Sequence, residues 1–230
     1  MIGILGGMGT QAGLDFCNKL AKINRGKLDQ QYPLFILYNK SDTPKRPENL
    51  KKYFNVLNAL VKGCKMLQKN KCKFIVMPCN TAHYWHEDIQ KKIKIPLLSM
   101  PKEVYLHTKK TCKKNSTIGI LCTEATLKTN IYNDYFDKNF KLISPEKNLQ
   151  KNSVNKSIKL VKMGKVKEAE IALRAAVKYL IRKKCKKIIL GCTELPIAIF
   201  AYKSFRKAKE SRLFIDPNLL LAEVCMKKYK

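Results

Sequence analysis

The chain has 230 residues, a formal net charge of +30, 45% hydrophobic residues and nine cysteines. That length and apolar content can bury the core of one large domain or two smaller ones, and they exclude intrinsic disorder. No run of about 18 apolar residues occurs, so no membrane-spanning helix is expected, and the apolar N-terminus, Met1-Ile2-Gly3-Ile4-Leu5, reads as a strand and not as a signal peptide.

An odd number of irregularly spaced cysteines does not form a disulfide framework, which points to a reducing compartment, the cytoplasm. The charge invites a nucleic-acid reading, but its distribution argues against one. Lysines are spread over nearly every segment, while arginine is confined to Arg25, Arg46, Arg174, Arg182, Arg206 and Arg212. Base readout favours arginine forks, and no segment interleaves basic residues with stacking aromatics. Weak attraction to polyanions and enrichment of anionic substrates at the surface are expected; a specific nucleic-acid partner is not.

In chain order, the patterning predicts a strand over 1–5, a turn at Gly6-Gly7 and a helix over 11–23. A strand over 33–39, a helix over 48–68, a strand over 73–77 and a helix over 81–92 follow. A short strand over 95–99 and a helix over 102–108 come next. The second half predicts a strand over 117–121, a helix over 126–137 and a strand over 140–143. Helices over 154–162 and 165–183 break at Gly164. A strand over 187–190, a helix over 195–202, a strand over 213–215 and a helix over 217–228 complete the chain. Short strands alternating with helices imply an α/β protein with mainly parallel sheets flanked by helices.

Ile2-Gly3-Ile4-Leu5 recurs as Ile118-Gly119-Ile120-Leu121, and Cys79 and Cys192 stand at nearly the same offset. A duplicated α/β unit is expected, its halves related by a pseudo-twofold with a cleft between them. The expected domains are 1–100 plus 211–230, carrying the Gly-rich loop and Cys79, and 101–210, carrying Cys192.

Each of these two cysteines ends an apolar run and precedes a helix-like stretch, in Pro78-Cys79-Asn80-Thr81 and Gly191-Cys192-Thr193-Glu194. A helix N-terminus lowers a thiol pKa, and a matched pair suggests two opposed acid/base groups working on one carbon. Cys17, Cys64, Cys72, Cys112, Cys122, Cys185 and Cys225 read as small core residues. The spacing of Cys79, His83 and His86, with Glu87 adjacent, admits a metal-site alternative, but no further Cys or His pair completes it. His83 is expected to point back towards Cys79. Gly6-Gly7-Met8-Gly9-Thr10 is either an anion cradle or a tight turn. Arg46, in the Pro44–Pro47 loop, is either a carboxylate clamp or a solvated charge. Lys162 carries no signal by itself.

Together, Gly6-Gly7-Met8-Gly9, Pro78-Cys79-Asn80-Thr81-Ala82-His83 and Gly191-Cys192-Thr193-Glu194 resemble the aspartate/glutamate racemase family over the length of the chain. The Gly-Gly-Met-Gly loop and Cys-Thr-Glu are similar to its aspartate racemase branch; glutamate racemases carry Asp-Ser-Gly and Cys-Thr-His at these places. The resemblance implies racemisation of acidic amino acids without a cofactor, two α/β domains with the site between them, and a homodimer. It implies Cys79 and Cys192 as the proton-transfer pair. Thr10, Asn80, Thr81, Thr123 and Thr193 would hold the α-carboxylate and ammonium, and Arg46 and Lys162 the side-chain carboxylate. Met8 and Glu194 complete the implied binding set. Thr10 stands where the family commonly has proline, and Lys45 replaces a frequent acidic residue. The alternatives are a related isomerase acting on another carboxylic acid, or a non-catalytic Lys-rich polyanion- or metal-binding protein.

Overall fold

The structure is a computed structural model that describes residues 1–24, 28–45, 54–136, 139–201 and 212–229. The chain forms two compact units, Met1–Glu103 with Asn218–Lys230, and Val104–Pro217.

In the first unit, β1 (Ile2–Gly6) is central, flanked by β2 (Phe35–Asn39) and β3 (Phe74–Val76), all parallel. Alternation along the strands divides the core between two faces. Leu5, Ile75 and Met77 pack with α2 (Phe54–Lys69), whose buried stripe runs from Val56 through Leu60 and Cys64 to Leu67. Ile2, Ile4, Phe74 and Val76 pack on the other face. There they meet Phe16 and Leu20 of α1 (Thr10–Ile23), Met100, and Leu221 and Cys225 of the C-terminal helix. A parallel sheet covered on both faces explains the near-continuous apolar strands.

The predicted strand over 95–99 makes one bridge, Leu97 to Ile75. The predicted helix over 81–92 is a 3₁₀ turn, Thr81–Trp85, followed by the short α3 (His86–Gln90). The predicted helix over 102–108 is α4 (Met100–Thr111).

In the second unit the order is β5 (Lys141–Ile143), β4 (Thr117–Cys122), β6 (Lys187–Gly191), β7 (Phe214–Ile215), again all parallel. The helix expected over 126–137 is instead two short helices, α5 (Glu124–Lys128) and α6 (Asn133–Phe136), because Asn130 adopts φ +54° between them. After β5, α7 (Lys147–Leu149) runs through a π-helical stretch, Gln150–Asn155, into α8 (Lys156–Lys162). Gly164 at φ +77° ends α8, with Lys165 N–H donating to Leu160 O at 2.9 Å as in a Schellman turn. The long α9 (Val166–Arg182) packs Leu173, Val177 and Leu180 against Leu121, Ile188 and Leu190, together with Leu195 of α10 (Leu195–Ala201). The expectation that 211–230 belongs wholly to the first domain is corrected here: β7 pairs with β6, and the chain returns to the first unit at Asn218, inside α11 (Pro217–Tyr229).

The units repeat one plan. Gly3 lies against Leu67 and Cys72, and Gly119 against Leu180 and Cys185. Lys71 and Lys184 both take positive φ, and each is followed by a cysteine whose N–H returns to the leucine carbonyl, Cys72 to Leu67 and Cys185 to Leu180.

Candidate active site

The strand ends position the chemistry. β1 stops at Gly6, and Gly7 turns the chain at φ +89°; a Cβ there would lie 2.2 Å from the Lys40 carbonyl carbon. Only glycine fits this turn. Met8, expected to bind substrate, is buried in the same apolar cluster as Cys79. Thr10 is exposed at the first residue of α1.

After β3, Cys79 N–H donates to Met77 O at 2.7 Å, and Asn80 and Thr81 are buried beside it. His83 is buried and bonds the Cys79 carbonyl through Nδ1 at 2.9 Å, while the Met100 N–H donates to its Nε2 at 3.1 Å. A carbonyl accepts only and a backbone N–H donates only, so the ring is the neutral Nδ1–H tautomer. Burial, helped by the nearby His86, holds its pKa down from 6.5 to about 4. His86 bonds the Leu97 carbonyl at 2.8 Å. Both rings are thus engaged with backbone, and no group of three metal-ligating side chains occurs among the described residues.

In the second unit, β6 delivers Cys192 at the start of a turn closed by Leu195 N–H to Cys192 O, 2.9 Å. The thiol donates to Glu194 Oε2 at 3.0 Å. Glu194 Oε1 makes no hydrogen bond among the described residues and has Lys162 Nζ at 3.7 Å. The Cys192 residue is 7% exposed and the Glu194 side chain 4%. Burial first, then the Glu194 carboxylate, push the thiol well above its ordinary pKa, with Lys162 opposing. This corrects the expectation of a thiol lowered by a helix terminus at Cys192, because burial, and then the acidic neighbour, outweigh a seven-residue helix.

Tyr132, which the sequence did not single out, is buried with Cys122 and Cys192 acting on its phenol. Nothing in Asn130-Ile131-Tyr132 signals this. Thr193 is buried. Thr123 caps α5, its Oγ1 accepting the Thr126 N–H at 3.1 Å. Gln150, from the π-helical stretch, braces the same strand end by donating to the Cys122 carbonyl at 2.8 Å.

The structure therefore brings Cys79 together with Met8, Asn80, Thr81 and His83 in one unit. In the other it brings Cys192 together with Thr193, Glu194 and Lys162. Arg46 lies outside the described residues. Glu194, expected to touch substrate, is occupied by Cys192 and Lys162. Among the described residues no helix is long and apolar enough to cross a membrane.

The family model for Asp/Glu/Hydantoin racemases matches residues 5–225. The broad specificity amino-acid racemase RacX of Bacillus subtilis is 29% identical over 202 residues, spanning 85% of this chain and 86% of its own. The solved aspartate racemase of Picrophilus torridus superposes with a TM-score of 0.81 at 30% identity, covering 99% of this chain and 93% of the other. Glutamate racemase of Francisella tularensis, solved with D-glutamate, shares the fold at a TM-score of 0.68 and 20% identity, with coverage of 99% and 80%. The two α/β units, each closing its third strand on a cysteine loop, and the match over nearly the whole chain make this protein a member of the Asp/Glu/Hydantoin racemase family.

Proposed function

We propose that the protein is a cofactor-independent amino-acid racemase that interconverts L- and D-aspartate by two-base proton transfer between Cys79 and Cys192. The observation that supports this reading best is the repeat itself. Cys79 and Cys192 occupy the same place in two like-built units, each three residues past the strand residue that pairs with the second isoleucine of the Ile-Gly-Ile-Leu run (Val76 with Ile4, Ile189 with Ile120), and each followed by buried polar residues. The reading requires the two thiols to flank one α-carbon.

One thiolate removes the Cα proton while the opposite thiol delivers its own to the other face, so the pair carries one net proton between its members and titrates as a coupled unit. Charge developing in the α-carboxylate calls for donors aimed at it. Asn80, Thr81 and Thr193, with Thr123 and Thr10, would supply them; one preorganised donor contributes roughly 10²–10³ in rate in comparable oxyanion sites. Met8 contributes an apolar wall. Arg46 and Lys162 would hold the distal carboxylate, and the protein would act as a homodimer in the cytoplasm.

A second reading, a racemase of wider amino-acid scope, is favoured by the Lys162–Glu194 pair, which already balances the lysine charge. The Bacillus subtilis relative is itself named for broad specificity. Chiral chromatography of L-aspartate incubated with the wild type, Cys79→Ser and Cys192→Ser tests the proposal. D-aspartate from the wild type alone supports it, and full activity in either variant overturns it. A wild type that racemises neutral amino acids as fast as aspartate supports the second reading.

A further inference from the structure

The surroundings of Cys192 are not neutral towards its proton. The S–H donates to Glu194 Oε2 at 3.0 Å inside a buried turn. Among the described residues, the other titratable or charged groups around it are the Lys162 ammonium, 3.7 Å from Glu194 Oε1, and the buried Tyr132 phenol and Cys122 thiol. Among the described residues, a thiolate at Cys192 would face the Glu194 carboxylate with the half-exposed Lys162 ammonium as the cation that offsets the pair.

Resting on the two-cysteine reading above, we propose that Glu194 is a positioning residue that keeps the proton on Cys192, so that the free enzyme presents Cys192 as the acid and leaves proton abstraction to Cys79. Burial and the carboxylate both raise the thiol pKa, in agreement with this assignment. In the first half-reaction the Cα–H bond breaks towards the Cys79 thiolate, and the Cys192 S–H bond breaks as its proton joins the opposite face of Cα. The electron pair stays on the Cys192 sulfur, so the negative charge passes from Cys79 to Cys192 and the total is unchanged. The product form then carries a thiolate against Glu194, and return of a proton to Cys192 is favoured. The enantiomer whose Cα–H faces Cys79 meets the resting form directly; its mirror image needs the proton redistributed first.

The test is the pH dependence of alkylation of Cys192 by iodoacetamide, read by peptide mass spectrometry, because only the thiolate reacts. The expected result is a high midpoint in the wild type and a midpoint at least one unit lower in Glu194→Gln, which is about tenfold more thiolate at a given pH below both midpoints. Glu194→Asp, which keeps the charge, should stay near the wild type, and Lys162→Ala should move the midpoint upward. An unchanged midpoint in Glu194→Gln, or a wild-type Cys192 that titrates like a free thiol, overturns the proposal. The two readings fail separately: an active Cys192→Ser refutes the two-cysteine reading whatever the alkylation shows. An inactive Cys192→Ser with an unmoved midpoint in Glu194→Gln refutes only the role given to Glu194.

Discussion

His83 spends both ring nitrogens on backbone, tying the Cys79 carbonyl to the N–H of Met100 at the start of α4. It is neutral in the folded state because burial disfavours the imidazolium. Its folded pKa of about 4 lies below the unfolded 6.5, so between these values the unfolded chain binds the extra proton. Stability then falls as pH drops from 6.5 towards 4, by roughly 3 kcal/mol for this one group. Thermal unfolding of His83→Gln should show a lower midpoint at pH 7.5 and a shallower loss down to pH 4.5 than the wild type. Parallel curves would contradict the assignment. The four-residue step from Cys79 to His83 made their contact legible in the sequence. The tautomer was not, because Met100 lies 17 residues on. The role of Glu194 was equally hidden, since a residue two positions after a cysteine reads as a ligand contact until its side chain is seen folded back on the thiol.

Among the elements, the turns after the first strand of each unit solve one problem by different means. Gly7 needs φ +89° and has no room for a Cβ against Lys40. Gly7→Ala should destabilise the protein by on the order of 3 kcal/mol or more, combining left-handed strain with a backbone clash. In the second unit Thr123 does the work as an N-cap. Thr123→Ala should cost about 1 kcal/mol in urea unfolding, and under the proposed substrate role it should also raise KM for aspartate. A stability loss with KM unchanged would leave Thr123 as a cap only. The strands were largely readable because each is a short apolar run. The predicted helix over 126–137 failed because its apolar spacing persists across Asn130, where the backbone turns left-handed. The π-helical stretch at Gln150–Asn155 carries no composition cue; its consequence, Gln150 reaching Cys122, is tertiary.

At the scale of the whole molecule, the duplication is deeper than the two sequence echoes that first suggest it. Leu67 and Leu180, Lys71 and Lys184, and Cys72 and Cys185 play matching parts at one spacing. In sequence these pairs are lost among abundant lysines and leucines; shared backbone conformation reveals them. The formal charge of +30 has its own consequence. It should draw dicarboxylic amino acids, so kcat/KM for aspartate should fall as salt rises from 20 to 500 mM, while that for a neutral amino acid changes little. Equal salt sensitivity would remove any steering role from the lysines.

The proposed transfer of the α-proton between Cys79 and Cys192 is best tested by early-time isotope exchange. L-aspartate is incubated with the enzyme in D2O, and deuterium at Cα is measured separately in the D-aspartate formed and in the L-aspartate recovered. Two-base transfer predicts deuterium in the D-product from the first turnovers, with the recovered L-substrate still protiated. Early D-product that retains the original proton, or exchange that is equal in both enantiomers, would rule out two-base transfer.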